Sequence, residues 1–173
     1  VDRQTAAFVV EPVQGEGGVN VPSAGYLAGL REICDANGAL LVCDEVQTGI
    51  GRTGTPLGYQ HERVVPDIAT LGKGLGGGFP VGAFCGRRDI FERLDHHKYP
   101  DMQERSFHGG TFTGNPVSMV AGMATLDILR KEGVYAHVDG LGEKLADDGV
   151  VVGRDRADLG DLRLVLDRLR LTL

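Results

Sequence analysis

Residues 39–43, Ala-Leu-Leu-Val-Cys, form an apolar run with no polar residue alternating through it, and the run stops on Asp44-Glu45. A strand with one wet face alternates, whereas a continuous apolar strand is covered on both faces, as in parallel sheets. A second such run, residues 6–10, closes on Glu11-Pro12. Between them residues 24–36 carry Leu27, Leu30, Ile33 and Cys34 at helical spacing, with Ser23 placed to cap the helix and Asn37-Gly38 to end it. Strand, helix and strand of this kind predict an α/β fold: a three-layer sheet of mostly parallel strands with helices on both faces.

In such sheets ligands bind beyond the carboxyl ends of the strands. Three ionisable residues fall there: Glu16 in the Gly-rich segment after the first strand, Asp44 at the end of the second, and Lys73 after the apolar run 68–71. Lys73 stands among Gly72, Gly74, Gly76, Gly77 and Gly78, so the backbone around it can approach a ligand closely. Its apolar neighbours in sequence suit a desolvated, nucleophilic amine. A solvated lysine in a flexible turn fits the same residues equally well.

Two phosphate-loop patterns fit less well. Gly72-Lys73-Gly74-Leu75-Gly76-Gly77 matches the spacing of a dinucleotide fingerprint, but Gly77, Gly78 and Pro80 break the helix that must follow. The lysine-containing P-loop fails because Gly74 stands where Ser or Thr belongs and Asp67 where its first Gly belongs.

The remaining chain supplies scaffolding and loops. Residues 47–66 are rich in Gly and Pro and read as a long irregular loop, usually functional inside a compact domain. A strand over 81–85 and a short helix over 88–93 follow. His96 and His97 point different ways on any regular element, and no further Cys or His completes a metal set, so both read as surface residues and no metal is expected. A second Gly-rich loop, 108–116, carries Thr111 and Thr113, and Pro116 suits the first turn of a long helix. Val120, Met123, Ala124, Leu126 and Leu129 mark the expected core face of that helix. The segment from residue 149 has no clear pattern, which divides the chain at about 1–148 and 149–173.

With 173 residues and 42% apolar composition, the chain suits one domain with a sizeable core. A net charge of −6 without a basic cluster excludes nucleic acid and anionic membranes as expected partners, and no apolar run is long enough for a membrane span. Three cysteines without paired spacing point to a reducing, cytoplasmic setting, with Cys34, Cys43 and Cys85 all read as small core residues.

Four segments, in order, resemble the class III aminotransferases, pyridoxal-phosphate enzymes of fold type I. They are Glu11 to Gly18 (EPVQGEGG), Asp44 to Gly54 (DEVQTGIGRTG), Thr70 to Lys73 (TLGK) and Thr111 to Pro116 (TFTGNP). The resemblance covers about residues 6–130. It implies part of the family's cofactor-binding large domain over 1–148, with other parts of that domain and a small domain lying outside this sequence. It implies pyridoxal 5'-phosphate as cofactor, held through a Schiff base on Lys73, which then moves the proton between substrate and cofactor. Asp44 would pair with the pyridine nitrogen and keep it protonated. Val46 would pack on the ring, Gln47 would reach its hydroxyl, and Thr111 would bind the phosphate of the cofactor in the other subunit of a homodimer. Glu16 would act at the substrate, pairing with an arginine and moving aside for a dicarboxylic 2-oxo acid. The activity implied is transamination between an amino or ω-amino donor and a 2-oxo acid. An aminomutase of the same class and a catalytically inactive fragment are the alternatives; Glu16 and Gln14-Gly15 argue against the former.

Overall fold

The structure, a computed structural model, describes residues 2 and 4–147. The expected tail from residue 149 lies outside the described residues. Four strands form one sheet in the order β1-β2-β3-β4: β1 (Ala7–Val10), β2 (Leu40–Asp44), β3 (Ile68–Leu71) and β4 (Ala83–Gly86). The first three run parallel, with Val10 opposite Cys43 and Asp44 opposite Thr70. β4 returns antiparallel, pairing Leu71 with Ala83. The connection 72–82 explains this, because it is too short to hold the crossover helix a parallel neighbour requires. The expected α/β class with a mostly parallel sheet is what forms.

Helix α1 (Tyr26–Asn37) lies on one face of the sheet. Leu27, Leu30 and Cys34 pack there with Ala39, Leu41, Cys43 and Val64, and Phe8, Val10, Ala28 and Tyr59 border the cluster. Leu41, Cys34 and Cys43 are fully buried, so truncating Leu41 to Ala would cost about 2–5 kcal/mol. The helix starts later than its sequence suggests. Gly25, in a left-handed conformation, precedes it, and Ser23 offers its backbone carbonyl to the Tyr26 N–H rather than a side-chain cap. Gly38 ends it as expected, at φ 67°. Ile33 faces outward, because at about 100° per residue it lies off the stripe formed by Leu27, Leu30 and Cys34.

Side chains alternate across a strand, so Val9, Val42, Asp44, Thr70 and Phe84 share the opposite face by register. That face is partly open among the described residues, with Val9 and Phe84 exposed.

A four-residue helix α2 (Arg88–Phe91) follows β4, and the polypeptide reaches α3 (Pro116–Leu129) and α4 (Val134–Asp147) through an irregular stretch. Pro116 opens α3 as expected, and the Asn115 carboxamide oxygen accepts from the Val117 and Ser118 N–H groups. The buried face of α3 differs from the apolar one. Ser118 and Gly122 are buried against the turn that follows Lys73, while Val120, Met123 and Leu126 are exposed. A Cβ at Gly122 would stand 3.5 Å from the Leu75 carbonyl oxygen. Small residues let the helix backbone approach that turn, which leaves the apolar face outward among the described residues.

Two further expectations change. Cys85 is exposed on the edge strand β4, unlike Cys34 and Cys43. His96 and His97 do lie at the surface, but their rings stand 3.9 Å apart, because the chain turns there instead of following a regular element. No described helix is long and apolar enough to cross a membrane.

Candidate active site

The loops after β1, β2 and β3 meet beyond the carboxyl ends of the strands. The first, residues 14–20, is pinned on itself by a Gln14–Asn20 bridge and by the Asn20 carboxamide donating to the Gln14 side chain. The Gly15 N–H donates to Glu11 at 2.9 Å. Glu16 is thereby carried out into solvent at the tip. The second loop begins with a helical turn in which the Gly49 N–H donates to the Glu45 carbonyl oxygen at 2.8 Å. That turn sends Val46 and Gln47 toward the first and third loops. A Cβ at Gly15 would lie only 2.7 Å from Gln47 Cγ, so the absence of a side chain there lets the two loops touch.

Lys73 follows Gly72 and opens a short 3-10 turn, Lys73–Gly76. Its φ is 46°, a left-handed value costing a non-glycine residue roughly 1–3 kcal/mol. Val19 and Ile50, in the other two loops, are strained in the same way at 54° and 60°. Backbone strain thus gathers in the three loops that meet here, and α3 braces the lysine turn from behind.

Glu16, Gln47 and Lys73 come together. The Gln47 Nε2 donates to Glu16 Oε1 at 3.0 Å, and the Lys73 ammonium stands 3.9 Å from the same oxygen. The Lys73 side chain is 40% exposed, so the apolar neighbours seen in sequence do not close over its amine. They belong to β3 and to Leu75, whose side chains turn into the protein.

Asp44 is half-buried at the end of β2. Its Oδ1 accepts from the Val46 N–H at 3.0 Å and from the Thr70 hydroxyl at 3.0 Å. Both donors are neutral and both use one oxygen, leaving Oδ2 free for a further donor among the described residues. Val46 also flanks the backbone before the lysine, since a Cβ at Gly72 would lie 3.5 Å from Val46 Cγ1. Asp44, Val46, Gln47, Glu16 and Lys73 therefore form one neighbourhood. Thr111 does not join it. It lies in an exposed turn before α3, and no hydrogen bond or ion pair among the described residues ties it to the other five.

Two residues of this neighbourhood escaped the sequence reading. Thr70 is visible only as the register partner of Asp44. Glu45, adjacent to Asp44, is fully buried and accepts from the Thr48 hydroxyl, the Gly58 N–H and the Tyr59 N–H. A Glu after a strand is ordinarily a solvent residue, and only the folded 47–66 loop supplies those donors. Burial, with the Glu45 carboxylate adding to it, pushes the nearby Cys43 thiol up to about 12, which keeps it from serving as a nucleophile.

The chain is similar to known proteins in sequence and in fold. The family description "Aminotransferase class-III" matches residues 1–162, running past the boundary expected near 148. The acetylornithine aminotransferase of Mycolicibacterium smegmatis is 50% identical over 146 residues, covering 84% of this chain and 35% of that protein. The acetylornithine aminotransferase of Methanopyrus kandleri is 48% identical over 132 residues, covering 76% of this chain and 32% of that protein. Among solved structures, an ornithine aminotransferase of Toxoplasma gondii, with pyridoxal phosphate partly occupying its active site, superposes with a TM-score of 0.73. It is 41% identical, over 84% of this chain and 32% of that one. The chain thus spans about a third of the length of the relatives it matches. A match over most of its residues, on a fold shared with these enzymes, shows that this chain belongs to the class III aminotransferase family.

Proposed function

We propose that this chain forms part of the catalytic domain of a pyridoxal-phosphate-dependent aminotransferase, and that residues 1–148 are the portion of the large domain that holds the cofactor. The observation that carries this reading is the convergence of Asp44, Val46, Gln47 and Glu16 with Lys73 at the strand ends. The residues fit the cofactor. Asp44 keeps an oxygen free for a cationic ring N–H, and a half-buried carboxylate there gains from such a partner. Val46 offers an apolar surface beside Gly72, and Gln47 a carboxamide within reach of the lysine's neighbour Glu16.

When bound, the cofactor acts as an electron sink for the bond changes at the substrate carbon. Lys73 would supply the amine that holds the cofactor, and the same amine would carry a proton at the substrate Cα. The strained backbone at Lys73 and the brace of α3 fix where that amine starts from. Asp44 keeps the ring nitrogen protonated, and the Thr70 hydroxyl and Val46 N–H fix the orientation of its carboxylate. Glu16 stands at an exposed loop tip, where it would accept a cation in one half-reaction and turn aside for a dicarboxylic 2-oxo acid in the other. Thr111, exposed before α3 and hydrogen-bonded to none of these residues, would serve the phosphate of a second subunit's cofactor in a homodimer. The names of the relatives favour ornithine or an acylated ornithine as donor, with a 2-oxo acid as acceptor.

Reduction with borohydride after addition of pyridoxal phosphate tests the central assignment. Mass spectrometry is expected to find the adduct on Lys73. An adduct confined to Lys131 or Lys144, with Lys73 unmodified, would overturn it.

A further inference from the structure

Beside the residues that face the proposed cofactor stands a carboxylate that faces away from it. We propose that Glu45 is a positioning residue: it sets the turn that presents Gln47, and through Gln47 the acid Glu16 beside Lys73. This inference rests on the function proposed above.

Glu45 is 0% exposed, and three donors converge on its two oxygens. The Thr48 hydroxyl donates to Oε2 at 2.5 Å, the Gly58 N–H to Oε2 at 2.8 Å and the Tyr59 N–H to Oε1 at 2.8 Å. Two of the donors belong to the far end of the 47–66 loop, so one side chain ties that loop's return to its departure. The third, Thr48, is the residue after Gln47. With the Gly49 N–H on the Glu45 carbonyl, both the backbone and the side chain of Glu45 close the turn 45–49. Gln47 sits in the middle of that turn, against Gly15, and donates to Glu16. Rotation of the turn would therefore move Gln47 off Glu16.

Gly58 completes the device. A Cβ there would stand 2.9 Å from Thr48 Cβ and 3.2 Å from Glu45 Oε2. Only a residue without a side chain brings its N–H onto the carboxylate without displacing Thr48. Gly58→Ala is thus a second route to the same disturbance, one that leaves Glu45 in place. In Glu45→Gln the new amide has one acceptor oxygen for three donors, and its NH2 faces an N–H. Loss of an acceptor for buried donors disturbs the turn, not the whole core.

The test is a double-mutant cycle in the full-length protein, read as the dissociation constant of pyridoxal phosphate, whose ring hydroxyl Gln47 is expected to reach. Glu45→Gln and Gly58→Ala are each expected to weaken binding about tenfold, equal to about 1.4 kcal/mol. In a Gln47→Ala background the same changes should weaken it less than about twofold, because sites that act through one another are not additive. Without cofactor, amide hydrogen exchange at Gly58 and Tyr59 should quicken in Glu45→Gln, while exchange in β2 stays unchanged. Equal losses in both backgrounds would overturn the positioning role and leave the cofactor assignment standing. A wild-type protein that binds no pyridoxal phosphate would overturn both. If Glu45→Gln fails to fold, the Gly58→Ala cycle decides alone, with the same two outcomes.

Discussion

Asp44 and Asp67 stand at opposite ends of the sheet and are held in opposite ways. Asp67, just before β3, is almost fully buried and has both oxygens occupied: Arg31 and the Leu41 N–H on Oδ2 at 2.8 and 2.7 Å, Arg87 on Oδ1 at 2.8 Å. It joins α1, β2, β3 and the end of β4 at one point. Asp44, just past the other end, is half-buried, touches only neutral donors and keeps one oxygen unengaged. A carboxylate saturated by its own fold stabilises that fold, and one left half-satisfied is available to something else. The same side chain thus serves structure at the amino end of the strands and, in our reading, chemistry at the carboxyl end.

Removing the two acids should separate these roles most sharply. In the full-length protein Asp44→Ala should lower turnover roughly a thousandfold, since an unprotonated ring withdraws electrons poorly. Thermal stability should shift little and borohydride trapping on Lys73 should persist. Turnover within a few-fold of wild type would remove Asp44 from the mechanism. Asp67→Ala should do the reverse, costing about 3–5 kcal/mol in denaturant unfolding, because it strands Arg31 and a buried N–H. If the variant unfolds at the wild-type midpoint, the contrast between the two ends is wrong.

Acid should act on the same contrast. Burial would raise the Asp67 carboxyl, but hydrogen bonds from Arg87, the Leu41 N–H and Arg31 outweigh it and hold the group below the usual carboxylate range. A depressed carboxyl contributes stability that is fully present above its unfolded value of about 3.9 and is lost as pH falls through the folded value. Melting temperature should therefore fall more steeply below about pH 4 in wild type than in Asp67→Asn. Parallel profiles would show that the cluster does not drive acid unfolding.

The smallest effect is expected at Thr70. Thr70→Val removes one neutral hydrogen bond from Asp44, a change of about 0.5–1.5 kcal/mol. Turnover should drop a few-fold, far short of the roughly thousandfold loss expected on removing Asp44 itself. A loss as large as that of Asp44→Ala would mean that Thr70 contacts the reacting groups directly.

Much of the site was legible because its residues lie at positions where the chain changes character. Asp44 ends an apolar strand, Lys73 follows another among glycines, and Glu16 sits in a Gly-rich loop; each discontinuity marks a strand end, where such sheets place ligands. The polar contacts behind them were not legible. Glu45 reads as one more acid beside Asp44 until residues 58 and 59 come back to meet it, and Asp67 reads as a loop residue until Arg31 and Arg87 reach it from two other elements. The exposure of the Lys73 amine and of the apolar face of α3 was not legible either. Sequence neighbours do not say which way a side chain turns when a glycine-bearing helix face packs more closely.

By itself the sequence determined the buried parallel strands, the helix between them, the loops that would carry chemistry and the family to which they belong. Those follow from local pattern, because continuous apolar runs, caps and glycines act over a few residues and leave few ways to fold. The tertiary structure decided the antiparallel return of β4, the bond from Gln47 to Glu16 beside Lys73, the burial of Glu45 and the difference between Asp44 and Asp67. All but the first depend on donors distant along the chain. A carboxylate's role is set by which N–H groups and cations surround it, and only the folded chain brings those to within 3 Å.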